Sequence, residues 1–331
     1  MNVPEEYEEV VSCDGAIVSV HSTVLGPALG GVRYRPYPSE EAALEDVLRL
    51  SKAMTYKAAV AGLDYGGGKA VIVGDPHAPD RTERLAAFAR CVDSLGGRYL
   101  TAEDMGTTQA DMDFVRTITP YVTGTSQGSG DPSPPTALGV FCAITATAES
   151  LWGSADLAGR HVVVQGVGKV GRALVGHLLG AGCRVTVADV VPAATAIEGV
   201  DVVDPARVHA VPCDVFSPCA LGGVLSPATI PELACTAVVG SANNQLVDDA
   251  CADLLRDRGV LYVPDYVANA GGIVNIAQEP GGYDRARADA AVRRIHDTVL
   301  QVLTEADRQG VTPLTAATRI AEARLRRPPT A

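Results

Sequence analysis

The sequence predicts an α/β fold in two domains, and three observations carry that reading. The chain has 331 residues, which at about 150 residues per domain leaves room for two separate cores. Its second half alternates short apolar strands with helices, the pattern of a parallel sheet. Between the halves lies a run of turn formers, Gly124-Thr125-Ser126-Gln127-Gly128-Ser129-Gly130-Asp131-Pro132-Ser133-Pro134-Pro135, which is the candidate hinge. The expected boundaries are 1–133 for an N-terminal α/β domain and 134–305 for a doubly wound domain, separated by a cleft. The tail, about 306–331, is a candidate to pack back on the first domain.

In the first half, Ala16 to His21 and Lys69 to Val73 alternate as strands do. Ser39 is a candidate N-cap with Glu40 and Glu41 in the first turn, opening an amphipathic helix through Leu44, Val47, Leu48 and Leu50 toward Met54. Arg81 to Leu95 reads as a helix ended by Gly96-Gly97. Beyond the hinge an apolar helix runs from Thr136 to about Leu151. Strands are then expected at His161–Gln165, Arg184–Ala188, Val215–Phe216, Ala237–Val239 and Leu261–Val263. Helices fall between them, for example Val170–Ala181 and Asp248–Asp257. A last long helix, about Asp284–Arg308, precedes a short helical tail.

Composition narrows the class. The net charge of −12, with basic residues clustered only at Arg324-Leu325-Arg326-Arg327, argues against a nucleic-acid partner. That cluster reads as a solvated end. No stretch of about 18 apolar residues exists to span a membrane. The opening Met1-Asn2-Val3-Pro4-Glu5-Glu6 is acidic and lacks the apolar run of a secretory signal, so the cytoplasm is the expected compartment. The eight cysteines include no Cys-x-x-Cys pair, so no metal site is expected, and they read as reduced, mostly buried small hydrophobes.

The apolar strand Val162-Val163-Val164-Gln165 runs into Gly166-Val167-Gly168-Lys169-Val170-Gly171, which opens a helix. Strand, G-x-G-x-x-G and helix together form the dinucleotide fingerprint of a Rossmann-type domain. Gly166 permits the tight turn, Gly168 lets a pyrophosphate approach the backbone, and Gly171 allows close helix–strand packing. Lys169, inside the turn, would add attraction for the pyrophosphate, with Val170 beside it on the helix N-terminus. The next strand, Val185-Thr186-Val187-Ala188, ends on Asp189, 18 residues after Gly171. An acid there binds a ribose 2′-hydroxyl and repels a 2′-phosphate, which favours NAD as cofactor.

The first half holds a second set of signals. Gly26-Pro27-Ala28-Leu29-Gly30-Gly31 reads as a stiff loop allowing close approach. Lys57 follows Met54-Thr55-Tyr56, Lys69 follows Gly66-Gly67-Gly68, and Asp104 sits in Thr101-Ala102-Glu103-Asp104-Met105-Gly106-Thr107-Thr108. Lysines in apolar and glycine-rich surroundings are unusual. Burial and a neighbouring cation both favour the neutral amine, which suits acid–base chemistry near neutrality. Spacing alone leaves open two snorkelling surface lysines and a loop-capping acid.

These residues carry a family resemblance. The stretches Gly26–Gly31, Met54–Asp75, Thr101–Thr108, Asp131–Gly139, Val164–Gly171, Cys213–Gly222, Gly240–Leu246 and Pro264–Ala277 resemble, in order, the glutamate/leucine/phenylalanine/valine dehydrogenases, and most of all the leucine and valine members. The resemblance implies reversible NAD-dependent oxidative deamination of an L-amino acid to a 2-oxo acid and ammonia. It implies Lys57 on the substrate carboxylate, Lys69 at the reacting carbon, and Asp104 as the proton shuttle. Gly30 and Gly31 would present backbone to the substrate, Asn243 and Asn244 would lie beside the nicotinamide ribose, and Asn269 near the substrate amino group.

The pocket walls implied in the same way are Leu29, Met54, Ala102, Ile273 and Ile276, all apolar and none aromatic. No cation stands where the glutamate enzymes hold a side-chain carboxylate. The expected substrate is therefore valine, leucine or isoleucine. Ile273 and Ile276 stand where leucine enzymes carry valine, which tilts the expectation toward valine or isoleucine. The alternatives are the same chemistry on an aromatic or nonstandard amino acid, and a catalytically silent NAD-binding regulator. A hydroxy-acid dehydrogenase is disfavoured because all six histidines lie outside these signals. A homo-oligomer, dimer or higher, is expected, although the tail is shorter than in the leucine enzymes.

Overall fold

The computed structural model describes residues 4–326. Met1 to Val3 and Arg327 onward, which include part of the basic cluster, lie outside the described residues. The chain forms two compact units. Unit 1 comprises the chain up to Pro132, then Ile273–Ala288 and the chain from Ala321; unit 2 comprises Ser133–Gly272 and Asp289–Ile320.

Unit 1 is built on strands β1 (Glu9–Cys13), β2 (Ala16–Ser22), β3 (Ala28–Arg35), β4 (Gly66–Val73) and β5 (Tyr99–Glu103), with helices α1 (Glu40–Val60), α2 (Arg81–Ser94) and α3 (Gln109–Arg116). The sheet order is β1-β2-β4-β3-β5. β1, β2 and β4 are antiparallel neighbours, whereas β3 runs parallel to both β4 and β5. Alternation along β2 sends Ala16, Val18 and Val20 to a core shared with Leu85, Phe88 and Val92 of α2. Ile17 goes to the other face, against Ala43 and Val47 of α1. Ser19 and His21 share that second face. Their polar atoms are matched across it by α1: Ser19 Oγ lies 2.8 Å from Ser51 Oγ, and His21 Nδ1 lies 2.9 Å from Thr55 Oγ1. Buried polar groups paired in this way fix the helix on the sheet. Ser39 caps α1 as expected, accepting from the Ala42 N–H.

Unit 2 carries β6 (His161–Gln165), β7 (Arg184–Ala188), β8 (Val200–Val202), β9 (Cys213–Pro218), β10 (Cys235–Val238) and β11 (Leu261–Tyr262) in the order β11-β10-β9-β6-β7-β8. Every pairing is parallel. Such a sheet must be covered on both faces, which explains the near-continuous apolar strands. The order reverses beside β6, at the carboxyl end of which doubly wound sheets bind ligands. The helices are α4 (Ser133–Trp152), α5 (Lys169–Gly180), α6 (Ala250–Asp257), α7 (Asp265–Ala268), α8 (Gly271–Ile276), α9 (Arg285–Arg293), α10 (Ile295–Gln309) and α11 (Pro313–Leu325). Of these, α8, α9 and α11 run across the points at which the chain passes from one unit to the other.

Four expectations are corrected. The stretch read as a loop at Gly26–Gly31 enters β3, because its glycines let a buried strand approach both neighbours. The turn-rich run ends earlier than expected: Ser133, Pro134 and Pro135 form the first turn of α4, where proline's missing N–H costs nothing. The long helix over Asp284–Arg308 is two helices, interrupted at the single residue Arg294 (φ −66°, ψ −10°) with no glycine or proline to announce it. Finally, the cysteines are not all reduced: Cys13 of β1 and Cys91 of α2 form a disulfide across 78 residues. Both pack on the core shared by the sheet and α2, with Cα atoms 6.1 Å apart, within disulfide reach. Among the described residues no helix is long and apolar enough to cross a membrane.

Candidate active site

In unit 1 the parallel strands β3, β4 and β5 bring Lys69, Asp104, Gly30 and Gly31 together. Lys69 projects from β4 and is almost fully buried. Its Nζ lies 2.7 Å from Oδ2 of Asp104, the residue that follows β5. Arg33 of β3 donates from Nε to the same oxygen at 2.9 Å. Burial opposes ionisation of Asp104, but the Lys69 ammonium and the Arg33 guanidinium outweigh it and hold this carboxyl well below the usual carboxylate range.

The backbone around this pair is tightly specified. Thr107 Oγ1 accepts from the Asp104 N–H at 2.9 Å, and its own proton is shared between the Asp104 carbonyl at 2.8 Å and the Val32 carbonyl at 3.1 Å. Gly106 has φ +80°, and a Cβ there would lie 1.8 Å from the Tyr34 carbonyl oxygen. A Cβ on Gly30 would lie 1.9 Å from the Gly68 carbonyl oxygen and 3.3 Å from Met54 Cγ, and one on Gly31 would lie 2.8 Å from Asp104 Cβ. Both glycines are therefore required by close packing. The buried Tyr99 hydroxyl donates to the Gly30 carbonyl at 2.7 Å. Leu29 and Ala102 are buried in β3 and β5, with Ala102 paired to Gly31. Lys57 stands half-buried on α1, one turn beyond Met54. Ile273 and Ile276 are buried in α8.

A cavity of about 790 Å³ also lies in unit 1, lined by Arg116, Asp113, Thr125, Glu279 and Tyr283 among others. Its acids serve the chain itself. Asp113 accepts from the Ser126 N–H, and Glu279 accepts from the N–H groups of Gly124 and Ser129. None of the candidate catalytic residues lines it.

In unit 2 the glycine turn follows β6. Gly166 has φ +92°, and a Cβ there would lie 2.7 Å from that of Ala220. A Cβ on Gly171 would lie 2.0 Å from the Gly166 carbonyl oxygen, whereas one on Gly168 would meet nothing within 4 Å. Helix α5 opens at Lys169 and Val170. Asp189, after β7, accepts from the Val167 N–H (2.6 Å) and the Val191 N–H (2.8 Å). Those N–H groups lower its carboxyl below the ordinary value. Farther along, Asn269 Nδ2 donates to Asn243 Oδ1 at 2.8 Å and to the Ser241 carbonyl at 3.1 Å. Asn244 takes the left-handed conformation, with φ +53°.

Residues 1–121 match the family model described as Glu/Leu/Phe/Val dehydrogenase, dimerisation domain, and residues 187–327 match that of glutamate/leucine/phenylalanine/valine dehydrogenase. The leucine dehydrogenase of Geobacillus stearothermophilus is 46% identical, over 97% of this chain and 91% of that protein. The valine dehydrogenase of Streptomyces virginiae is also 46% identical, over 96% and 94%. The crystal structure of L-tryptophan dehydrogenase from Nostoc punctiforme superposes with a TM-score of 0.86 at 42% identity, covering 97% of this chain and 96% of that one.

The chain belongs to the glutamate/leucine/phenylalanine/valine dehydrogenase family. It is thus an oxidoreductase of the amino-acid dehydrogenase class, in a family that works with a nicotinamide cofactor. The residues of unit 2 fit such a cofactor. Gly168 leaves open space at the N-terminus of α5, Gly166 and Gly171 close the turn beneath it, and Gln165 Oε1, one residue before the turn, is a buried acceptor without a hydrogen-bond partner.

Three residues of the candidate site, Arg33, Tyr99 and Thr107, are not singled out by the sequence. Arg33 lies 71 residues before Asp104 in sequence, and only the β3–β5 pairing makes it a neighbour; the same pairing sets the Tyr99 hydroxyl on the Gly30 carbonyl. The Thr107 hydroxyl was in view within the quoted segment, but its role depends on the turn at Gly106.

Proposed function

We propose that this enzyme catalyses the reversible, NAD-dependent oxidative deamination of a branched-chain aliphatic L-amino acid to its 2-oxo acid and ammonia. The observation that carries the reading is the Lys69–Asp104 ion pair, with its lysine buried and its carboxylate partly buried. A lysine and an acid in contact provide what a C–N bond-breaking reaction needs. The carboxylate, held ionised by its cations, takes a proton from the substrate ammonium and later returns one to the departing ammonia. Lys69 stabilises negative charge as water adds at Cα, and Lys57 holds the substrate carboxylate. Gly30 and Gly31, fixed by Tyr99, present backbone to the substrate. When bound, the nicotinamide ring supplies the hydride acceptor. Asn243 and Asn244 would lie beside its ribose.

NAD is favoured over NADP because the Asp189 carboxylate stands at the end of the second strand, where it would repel a 2′-phosphate. Leu29, Met54, Ala102, Ile273 and Ile276 would form the apolar pocket. One methylene is worth only about 1–3 kcal/mol of discrimination, so valine, leucine and isoleucine should overlap, with Ile273 and Ile276 favouring valine or isoleucine. Replacing both by valine should move the preference toward leucine. The family description of residues 1–121 as a dimerisation domain supports a homo-oligomer, dimer or higher.

A second reading, the same chemistry on an aromatic amino acid, is favoured by the similarity to L-tryptophan dehydrogenase. NADH oxidation with ammonium and 2-oxoisovalerate, 4-methyl-2-oxopentanoate, phenylpyruvate, indolepyruvate or 2-oxoglutarate separates the two. Fastest turnover with a branched acid supports the first reading. Fastest turnover with an aromatic acid replaces it by the second, and fastest turnover with 2-oxoglutarate overturns both.

A further inference from the structure

Asp104 meets its two cations through one oxygen. Lys69 Nζ is 2.7 Å from Oδ2 and Arg33 Nε is 2.9 Å from the same atom. The two cations are not equivalent. A lysine can give up its proton, whereas an arginine stays charged throughout the accessible pH range. Arg33 is itself held in place. Its Nη1 donates to Asp46 Oδ2 of α1 at 3.3 Å, and that oxygen also accepts from the Tyr37 hydroxyl at 2.8 Å. Arg49 donates to the other Asp46 oxygen at 2.8 Å. The Arg33 side chain is only 14% exposed.

We infer that Arg33, anchored by Asp46, is a positioning residue that acts as the permanent counter-cation of Asp104, fixing its carboxylate and the proton affinity of the Lys69–Asp104 pair whichever form Lys69 takes. The kinetic consequence rests on the deamination reading; the electrostatic one does not. The groups facing Asp104 are Lys69 from β4, Arg33 from β3 and Tyr99 from β5, with Asp46 of α1 acting through Arg33. Tyr99 stays neutral because burial raises its hydroxyl. The charges that set the pair's titration from outside are therefore Arg33 and Asp46, of opposite sign. Removing a positive neighbour makes the pair hold its proton more tightly, and removing a negative one makes it hold the proton less tightly.

The chain has four lysines, Lys52, Lys57, Lys69 and Lys169, so ε-¹³C-lysine labelling gives a spectrum in which Lys69→Arg identifies one signal. Its titration midpoint reports the pair without any substrate. Arg33→Gln should raise that midpoint by about 1 pH unit, Asp46→Asn should lower it, and Arg33→Lys should leave it near the wild-type value. In turnover, Arg33→Gln should lower kcat by about 100-fold, the cost of a misplaced catalytic group, with KM for the amino acid little changed. An unmoved midpoint in Arg33→Gln, or a shift of the same sign in Arg33→Gln and Asp46→Asn, overturns the inference. If Arg33→Gln does not fold, the sign of the Asp46→Asn shift decides it. A wild-type enzyme without amino-acid turnover would sink the deamination reading, and the titration would still decide the role of Arg33.

Discussion

Asp104 is a carboxylate that folding leaves no reason to protonate, and its behaviour with pH follows from that. Its folded carboxyl lies well below the ordinary value because Lys69 and Arg33 offset the cost of burial. A depressed folded pKa contributes stability that is complete above the unfolded value and is lost as pH falls through the carboxylate range, beginning near about pH 5. Asp104→Asn leaves the buried Lys69 without its anion and Arg33 with Asp46 alone, so it should cost about 3 kcal/mol near neutrality, as removing one partner of a buried pair does. Denaturant melts of wild type and variant should converge as the pH is lowered; a constant gap would contradict the assigned pairing. Of this cluster, Lys69, Asp104 and the two glycines stand in local patterns that the sequence displays. Arg33 does not, because it lies within an ordinary strand and acquires its role only when β3 pairs with β5.

At the scale of elements, two constraints are close enough to be tested singly. Gly171 touches the turn it supports: a Cβ there would lie 2.0 Å from the Gly166 carbonyl oxygen. Gly171→Ala should push α5 off β6 and weaken NADH binding, read by fluorescence titration, at least 10-fold. Binding unchanged in a folded variant would remove the glycine turn from the cofactor site. The Cys13–Cys91 bond ties β1 to α2. Protein denatured without reductant should titrate six thiols, Cys142, Cys183, Cys213, Cys219, Cys235 and Cys251, and eight after reduction. Cys13→Ser should cost about 2–4 kcal/mol, as expected for closing a long loop. Eight thiols without reductant would contradict the bond. Five of the six strands of unit 2 were legible from their apolar runs, but β8 was not, because Val200-Asp201-Val202 is only three residues long and two of them are exposed; β3 was hidden by the glycines at its start. The disulfide was hidden too, because 78 residues separate its ends and only the packing of α2 against β1 brings them together.

At the scale of the whole molecule, the sequence announced two α/β bodies through the change from a motif-rich half to a strand–helix alternation. The returns of the chain to unit 1 at Ile273 and again at Ala321 have no such signature, since α8 and α11 cross those points without a turn-rich linker. Family membership makes the chain an amino-acid dehydrogenase, and the central claim is that it releases ammonia from a branched amino acid at Lys69 and Asp104. The most direct test incubates the enzyme with L-valine and NAD and measures NADH and ammonium together, in wild type and in Asp104→Asn. Wild type should form equal amounts of NADH and ammonium, and the variant should bind NADH normally but turn over about 10²–10⁴-fold more slowly. NADH formed without ammonium, or a folded variant as fast as wild type, would contradict it.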